Sequence, residues 1–141
     1  MIWRSFFLVS LLAGLAGCET PSQVAKPPMP SGAVTLSGTA VYRERIALPP
    51  DARLSVRISN VSLMDAPAPV IAETETVTEG KQVPLAFSLG YDPARIRKGA
   101  RYSVSARITD GDGRLLWITD THHDLPPPRQ SVELRLVQVA R

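Results

Sequence analysis

The chain has 141 residues, with 16 Lys and Arg against 13 Asp and Glu, a formal charge of +3 and a hydrophobic share of 44%. A body of this size makes one domain and not two, and so small a charge gives no footing for a nucleic-acid partner. The single cysteine, Cys18, excludes an intrachain disulfide, so the fold must rest on an ordinary apolar core.

Met1–Arg4 is a short start with one positive charge, and Ser5–Leu15 is then uncharged and apolar apart from two serines. A charged start, an apolar core of this length and small residues at its end predict a secretory signal peptide over residues 1–17. The run is shorter than the roughly 20 apolar residues of a membrane-spanning helix, and nothing downstream is apolar for that long, so no transmembrane segment is expected in the mature chain. Leu15-Ala16-Gly17-Cys18 resembles the bacterial lipobox, in which small residues admit the extended backbone to the peptidase cleft and the thiol is alkylated. The resemblance implies diacylglycerol on the Cys18 sulfur, cleavage between Gly17 and Cys18, and a further acyl chain such as palmitate on the new amine. Two chains suffice for stable anchoring, at roughly 0.8 kcal/mol per buried CH₂. The alternatives are an ordinary cleaved signal peptide followed by an incidental cysteine, and an uncleaved signal anchor. Among bacterial lipoproteins an Asp after the cysteine often signals inner-membrane retention. Glu19 stands there, which favours the outer membrane, facing the periplasm. Loss of Arg4 with the leader would lower the side-chain charge from +3 to +2.

Residues 18–32 carry the lipidated cysteine and a linker. Four prolines among Glu19–Gly32 and small polar neighbours cannot build a core, so this stretch reads as a semi-extended tether. The folded body is expected over residues 33–141. Seven runs there alternate with period two, the strand signal. Val34, Leu36, Ala40 and Tyr42 share one face of the first. Leu54, Val56 and Ile58 line the second. Val70–Thr78, richer in Thr and Glu, is the more exposed third. Val83, Leu85, Phe87 and Leu89 line the fourth, and Tyr102, Val104, Ala106 and Ile108 the fifth. Leu115–Thr121 is centred on Trp117, and Val132, Leu134 and Leu136 line the last.

Turn residues separate the runs at Leu48–Ala52, Ala66–Pro69 and Pro126–Pro128. Glu79-Gly80-Lys81 reads as a tight hairpin turn, and Asp110-Gly111-Asp112-Gly113 as a strong one. Asp92, Pro93 and Gly99 fit the N-cap, first residue and end of one helical turn. One polar face per strand argues for antiparallel pairing. The expected fold is all-β, an antiparallel sandwich of about seven strands, with a small lipocalin-like barrel as the alternative.

The segment Tyr42-Arg43-Glu44-Arg45-Ile46-Ala47-Leu48-Pro49-Pro50-Asp51-Ala52 resembles YbaY-type bacterial lipoproteins. The resemblance continues through Leu54-Ser55-Val56, Val61–Ala68, Pro84–Phe87, Tyr91–Ile96, Tyr102–Ile108 and the Asp-Gly hairpin up to Thr121. That family is grouped with the YscW-like lipoproteins, the pilotins of type III secretion, which bind the secretin ring protein and escort it to the outer membrane. What the resemblance implies is an all-β outer-membrane lipoprotein domain with no catalytic residues and no cofactor to carry over.

Other motifs read more plainly. Asp110-Gly111-Asp112-Gly113 lacks the further oxygens and distal Glu of a calcium loop. Adjacent residues of a strand face opposite ways, so His122 and His123 do not converge, although His122, Asp120 and Asp124 share a face and could hold a metal weakly. The expectation is none. Glu73 and Glu75 share one strand face among threonines and read as solvated, so no raised acid is expected. Arg43-Glu44-Arg45 and Arg95-Ile96-Arg97-Lys98 could meet anionic headgroups or an acidic partner, or simply guard strand edges. No G-x-S-x-G elbow is present. Trp117 and Tyr42 are expected in the core. Together these features predict a non-enzymatic, membrane-anchored binding or assembly module whose partner is another envelope protein, pilotin-like or chaperone-like, with an exposed sheet edge or the long Pro-rich connections as the contact surface. The alternative is an enzyme or carrier for envelope glycans or lipids.

Overall fold

A computed structural model describes residues 32–140. Gly17, Cys18, the apolar leader and most of the linker lie outside the described residues. Eight strands form: β1 (Val34–Val41), β2 (Arg53–Asn60), β3 (Val70–Val77), β4 (Leu85–Tyr91), β5 (Tyr102–Thr109), β6 (Leu115–Ile118), β7 (Ser131–Arg135) and β8 (Val137–Gln138), with one 3-10 turn at Pro93–Arg95. They build a three-stranded sheet in the order β4-β1-β7 and a five-stranded sheet in the order β3-β2-β5-β6-β8. The barrel alternative is not adopted, because β3 and β4, adjacent in sequence, end as edges of different sheets and share no ladder.

The alternating residues account for the core. Leu36 and Ala40 of β1 face Leu54, Val56 and Ile58 of β2, with Leu85, Phe87 and Leu89 of β4, Tyr102, Val104, Ala106 and Ile108 of β5, Trp117, Leu134 and Leu136 all buried among them. Burial of so many large apolar side chains is the main stabilising term, at roughly 1.5–3 kcal/mol for each one fully buried. β3 is mostly exposed, as its Thr and Glu content predicts. Gly38 is obligatory at the centre of β1: a Cβ there would strike the Phe87 ring and the Val132 carbonyl oxygen.

The turns behave as their chemistry requires, with two changes. Asp110–Arg114 closes the β5–β6 hairpin, with Asp110 N–H donating to the Arg114 carbonyl at 3.0 Å and Gly113 at φ 82°. Asp92 caps the 3-10 turn by accepting from Ala94 N–H at 2.9 Å. That turn stops at Arg95, and Gly99 serves a second turn instead. The Glu79-Gly80-Lys81 turn also forms, with φ of 52° and 79° at its first two residues. It does not make a hairpin, however. The chain leaves β2's neighbour and crosses to the opposite sheet, where the apolar face of β4 pairs with β1. Gln82 steadies the crossing by pairing with both backbone groups of Leu48, at 2.7 and 3.2 Å.

The wholly antiparallel expectation fails at one ladder. β7 lies parallel to β1, from Ser37↔Ser131 to Val41↔Arg135. Beyond it, Leu136 donates to the Val41 carbonyl in one sheet, and Val139 to the Leu116 carbonyl in the other. The chain therefore changes sheets within a residue or two, and β8 is the short strand that results.

Candidate functional site

The histidine group does not gather. His122 Nε2 meets Asp124 Oδ1 at 2.8 Å, both side chains largely exposed. Asp120 accepts instead from the Thr121 hydroxyl at 2.9 Å. Among the described residues no cluster of three or more metal-ligating side chains occurs. The backbone of this stretch is structural: His123 carbonyl accepts from Val104 N–H at 2.8 Å, and Leu125 N–H donates to Tyr102 carbonyl at 3.0 Å, continuing the sheet beyond β6.

Asp110 is buried at the base of its hairpin, which the sequence alone did not suggest. Its carboxylate accepts from the backbone N–H groups of Arg114 at 2.8 Å and Asp112 at 3.1 Å, and from Arg114 Nε at 2.9 Å. These donors, the Arg114 amide first, hold its pKa below the ordinary value against the opposing effect of burial. Arg114 Nη2 also lies 2.8 Å from Oδ2, so both carboxylate oxygens are engaged within the turn and the residue is a hairpin clamp.

The outer face of the five-stranded sheet carries a charge ladder. Glu73 accepts from the Ser55 hydroxyl at 2.8 Å and lies 3.6 and 3.5 Å from the guanidinium groups of Arg57 and Arg107, while Glu75 pairs with Arg53 at 3.0 Å. Both carboxylates are half exposed and paired across strands, an arrangement for sheet pairing and solubility.

The side of the sandwich where the β3 and β4 edges meet offers a surface for a partner. β4 is hydrogen-bonded to β1 on one side only, and β3 to β2 on one side only. Arg95, carried on the turn after β4, reaches across and donates to the carbonyls of Val70 and Ile71, closing one end. At the other end a cleft of about 220 Å³ opens between the strands, lined by Leu54, Thr76, Val77, Thr78, Lys81 and Leu85 among others. Val77 is 42% exposed there. Thr78 is 4% exposed, and its hydroxyl has no hydrogen-bond partner. An apolar slot beside free strand edges can receive an extended segment, its backbone on the edge and a side chain in the slot. A sheet edge was among the contact surfaces expected from the sequence; the slot was not, since it exists only because the two strands part.

Residues 31–139 match the family model described as the type III secretion system lipoprotein chaperone, YscW. The chain is similar to the uncharacterized lipoprotein YbaY of Escherichia coli (strain K12), 38% identical over 126 residues, with 80% of this chain and 66% of that protein covered. It thus spans just under two thirds of that relative's length. A solved structure of an alternative pilotin from the type II secretion system of Vibrio cholerae superposes with a TM-score of 0.72 at 46% identity, covering 77% of this chain and 99% of that one.

Proposed function

Because the chain belongs to the YscW family of secretion-system lipoprotein chaperones, we propose that it acts as a pilotin-like module without enzymatic activity. Acylated at Cys18 after loss of residues 1–17, it is held in the outer membrane facing the periplasm. There it binds a segment of a secretin along the β3/β4 side and brings that protein to its membrane. The observation that carries the reading is the likeness over nearly the whole of a pilotin chain, 99% of it at 46% identity. The two free edges flanking an apolar slot supply the kind of surface such a task needs.

The reading is tested in cells lacking the gene, by following the host's secretin through membrane fractions. Accumulation of secretin in the inner-membrane fraction, reversed by the native gene and not by Cys18→Ser, is expected. Unchanged outer-membrane secretin would overturn it. Mass spectrometry of the mature N-terminus tests the anchor separately, since an unmodified sulfur would remove the membrane step.

A further inference from the structure

The two ends of the sandwich differ in chemistry. Val34 pairs with Tyr91, so the chain that follows Cys18 joins the body at the end where β4 finishes. Asn60 pairs with Tyr102 at the same end. This brings together the β2–β3 loop, residues 61–69, and the connection 96–101 that precedes β5. The two are clipped to each other: Val61 N–H donates to the Arg101 carbonyl at 2.9 Å, and Arg101 N–H to the Ser62 hydroxyl at 2.7 Å. The β2–β3 loop is also closed on itself, with Asn60 N–H on the Pro69 carbonyl at 2.9 Å and Ser62 N–H on Asn60 Oδ1 at 3.0 Å.

This braced loop presents two large apolar side chains outward. Leu63 is 55% exposed and Met64 89% exposed. On the connection clipped to this loop, Arg97, Lys98 and Arg101 are exposed and join no ion pair among the described residues. The acidic side chains on the same loops and turn are Asp65 and Asp92, and Asp92 is engaged in capping the 3-10 turn. At the opposite end the signs mix, with Glu44, Glu79 and Asp112 among Arg43, Arg45 and Lys81.

We propose that the β1-entry end is a lipid-docking surface that rests on a bilayer bearing anionic headgroups. Met64 and Leu63 enter the boundary between headgroups and acyl chains, while Arg97, Lys98 and Arg101 meet the headgroup phosphates. Interfacial binding of this kind scales with buried apolar surface plus attraction to anionic lipid. Each Lys or Arg close to such a surface contributes about 1 kcal/mol, so removing three weakens docking on the order of a hundred-fold. Hydrogen bonds brace the loop, so little ordering is needed when it docks. The contact also leaves the β3/β4 slot along the side of the body, open to a protein partner. The orientation toward the membrane rests on the anchoring reading above, but the affinity of the surface for lipid does not.

The test places an environment-sensitive fluorophore on Met64→Cys in the full mature protein in vesicles, with Glu79→Cys at the far end as the control. In vesicles containing phosphatidylglycerol, the label at position 64 is expected to shift to the blue and to become several-fold less accessible to iodide. In phosphatidylcholine alone it stays in water, and Arg97→Gln/Lys98→Gln/Arg101→Gln abolishes the difference. Equal iodide access at positions 64 and 79 in phosphatidylglycerol vesicles would overturn the proposal. So would protection of position 64 that appears only when a secretin is added, which would assign the loop to a protein partner. The mass of the same preparation reports acylation. If Cys18 is bare, the label is carried in a Cys18→Ser chain added to the same vesicles, so that failure of the anchor and failure of the docking surface are read apart.

Discussion

The rings of Tyr42 and Trp117 stack with centroids 3.9 Å apart and planes 9° from parallel. One follows β1 in the three-stranded sheet and the other sits in β6 of the five-stranded sheet, so the contact joins the two layers directly. Tyr42 is further fixed by its hydroxyl, which donates to the Ile46 carbonyl at 2.6 Å. Burial, with Glu44 second, raises its pKa, so the hydroxyl stays protonated at neutral pH. Trp117 is 2% exposed. Trp117→Ala should therefore destabilise the domain by about 3–5 kcal/mol, the usual cost of deleting a large buried aromatic, and Trp117→Phe by less because a stacking ring remains. Urea unfolding followed by far-ultraviolet circular dichroism measures both. Equal losses for the two variants would show that a ring retained at this position restores neither packing nor stacking.

Gly38 gives a prediction of opposite sign in volume. A side chain there meets the Phe87 ring and the Val132 carbonyl oxygen, the latter part of the parallel β1–β7 ladder. Trimming Phe87 cannot relieve a clash with backbone. Gly38→Val is expected to cost about 1–3 kcal/mol or more, and Phe87→Leu should not restore it. Recovery of native stability in the double variant would mean that the ring alone sets the limit.

Asp110 makes stability depend on acid. Its folded pKa lies below the ordinary value of 3.8, chiefly through the Arg114 backbone donor. A carboxylate with a depressed folded pKa contributes stability that is fully present above the unfolded pKa and is lost as pH falls through the folded one. Asp110→Asn should thus be less stable than the native chain at pH 7. The gap should narrow from about pH 4 downward, as the native carboxylate protonates. Thermal melts at pH 7, 5, 4 and 3 would show this, and a gap that stays constant with pH would refute it.

These residues also show where the sequence could and could not be read. Leu54, Val56 and Ile58 declare their shared face through spacing alone, because period-two alternation is a local property. The Asp110–Arg114 hairpin and the Asp92 cap are equally local. The Glu79-Gly80-Lys81 turn was legible as a turn, but the same backbone geometry serves a hairpin or a passage between sheets. What decides is where the β4 apolar face finds a partner, and that is set by distant β1. The parallel β7 ladder and the two-residue β8 have the same origin, since Leu136 must answer to Val41 and its successors to Leu116. The close approach of Asp51 to Gly111, two residues from different connections, was hidden in the same way. The slot between β3 and β4 is invisible for the same reason: it is the space left by strands that part, and no residue pattern marks a space.

That slot can be tested without disturbing the fold. Thr76 sits opposite Leu54 on the inward face of edge strand β3 and is exposed, and substitutions at such positions typically change stability by about 0.5 kcal/mol or less. A bulky cation placed there would fill the mouth of the cleft and set a charge beside Lys81. If a secretin segment seats an apolar side chain between β3 and β4, Thr76→Arg should weaken its binding by roughly tenfold or more, the scale of losing one well-placed anchor, while the melting temperature stays within about two degrees. Titration of the purified variant with the secretin's periplasmic portion, alongside Glu133→Arg on the far edge strand β7 as a control, measures the difference. Equal weakening by both variants would point to general charge effects. Unchanged affinity for Thr76→Arg would move the binding surface away from this side of the sandwich, because a segment seated between these two edges could not avoid the added side chain.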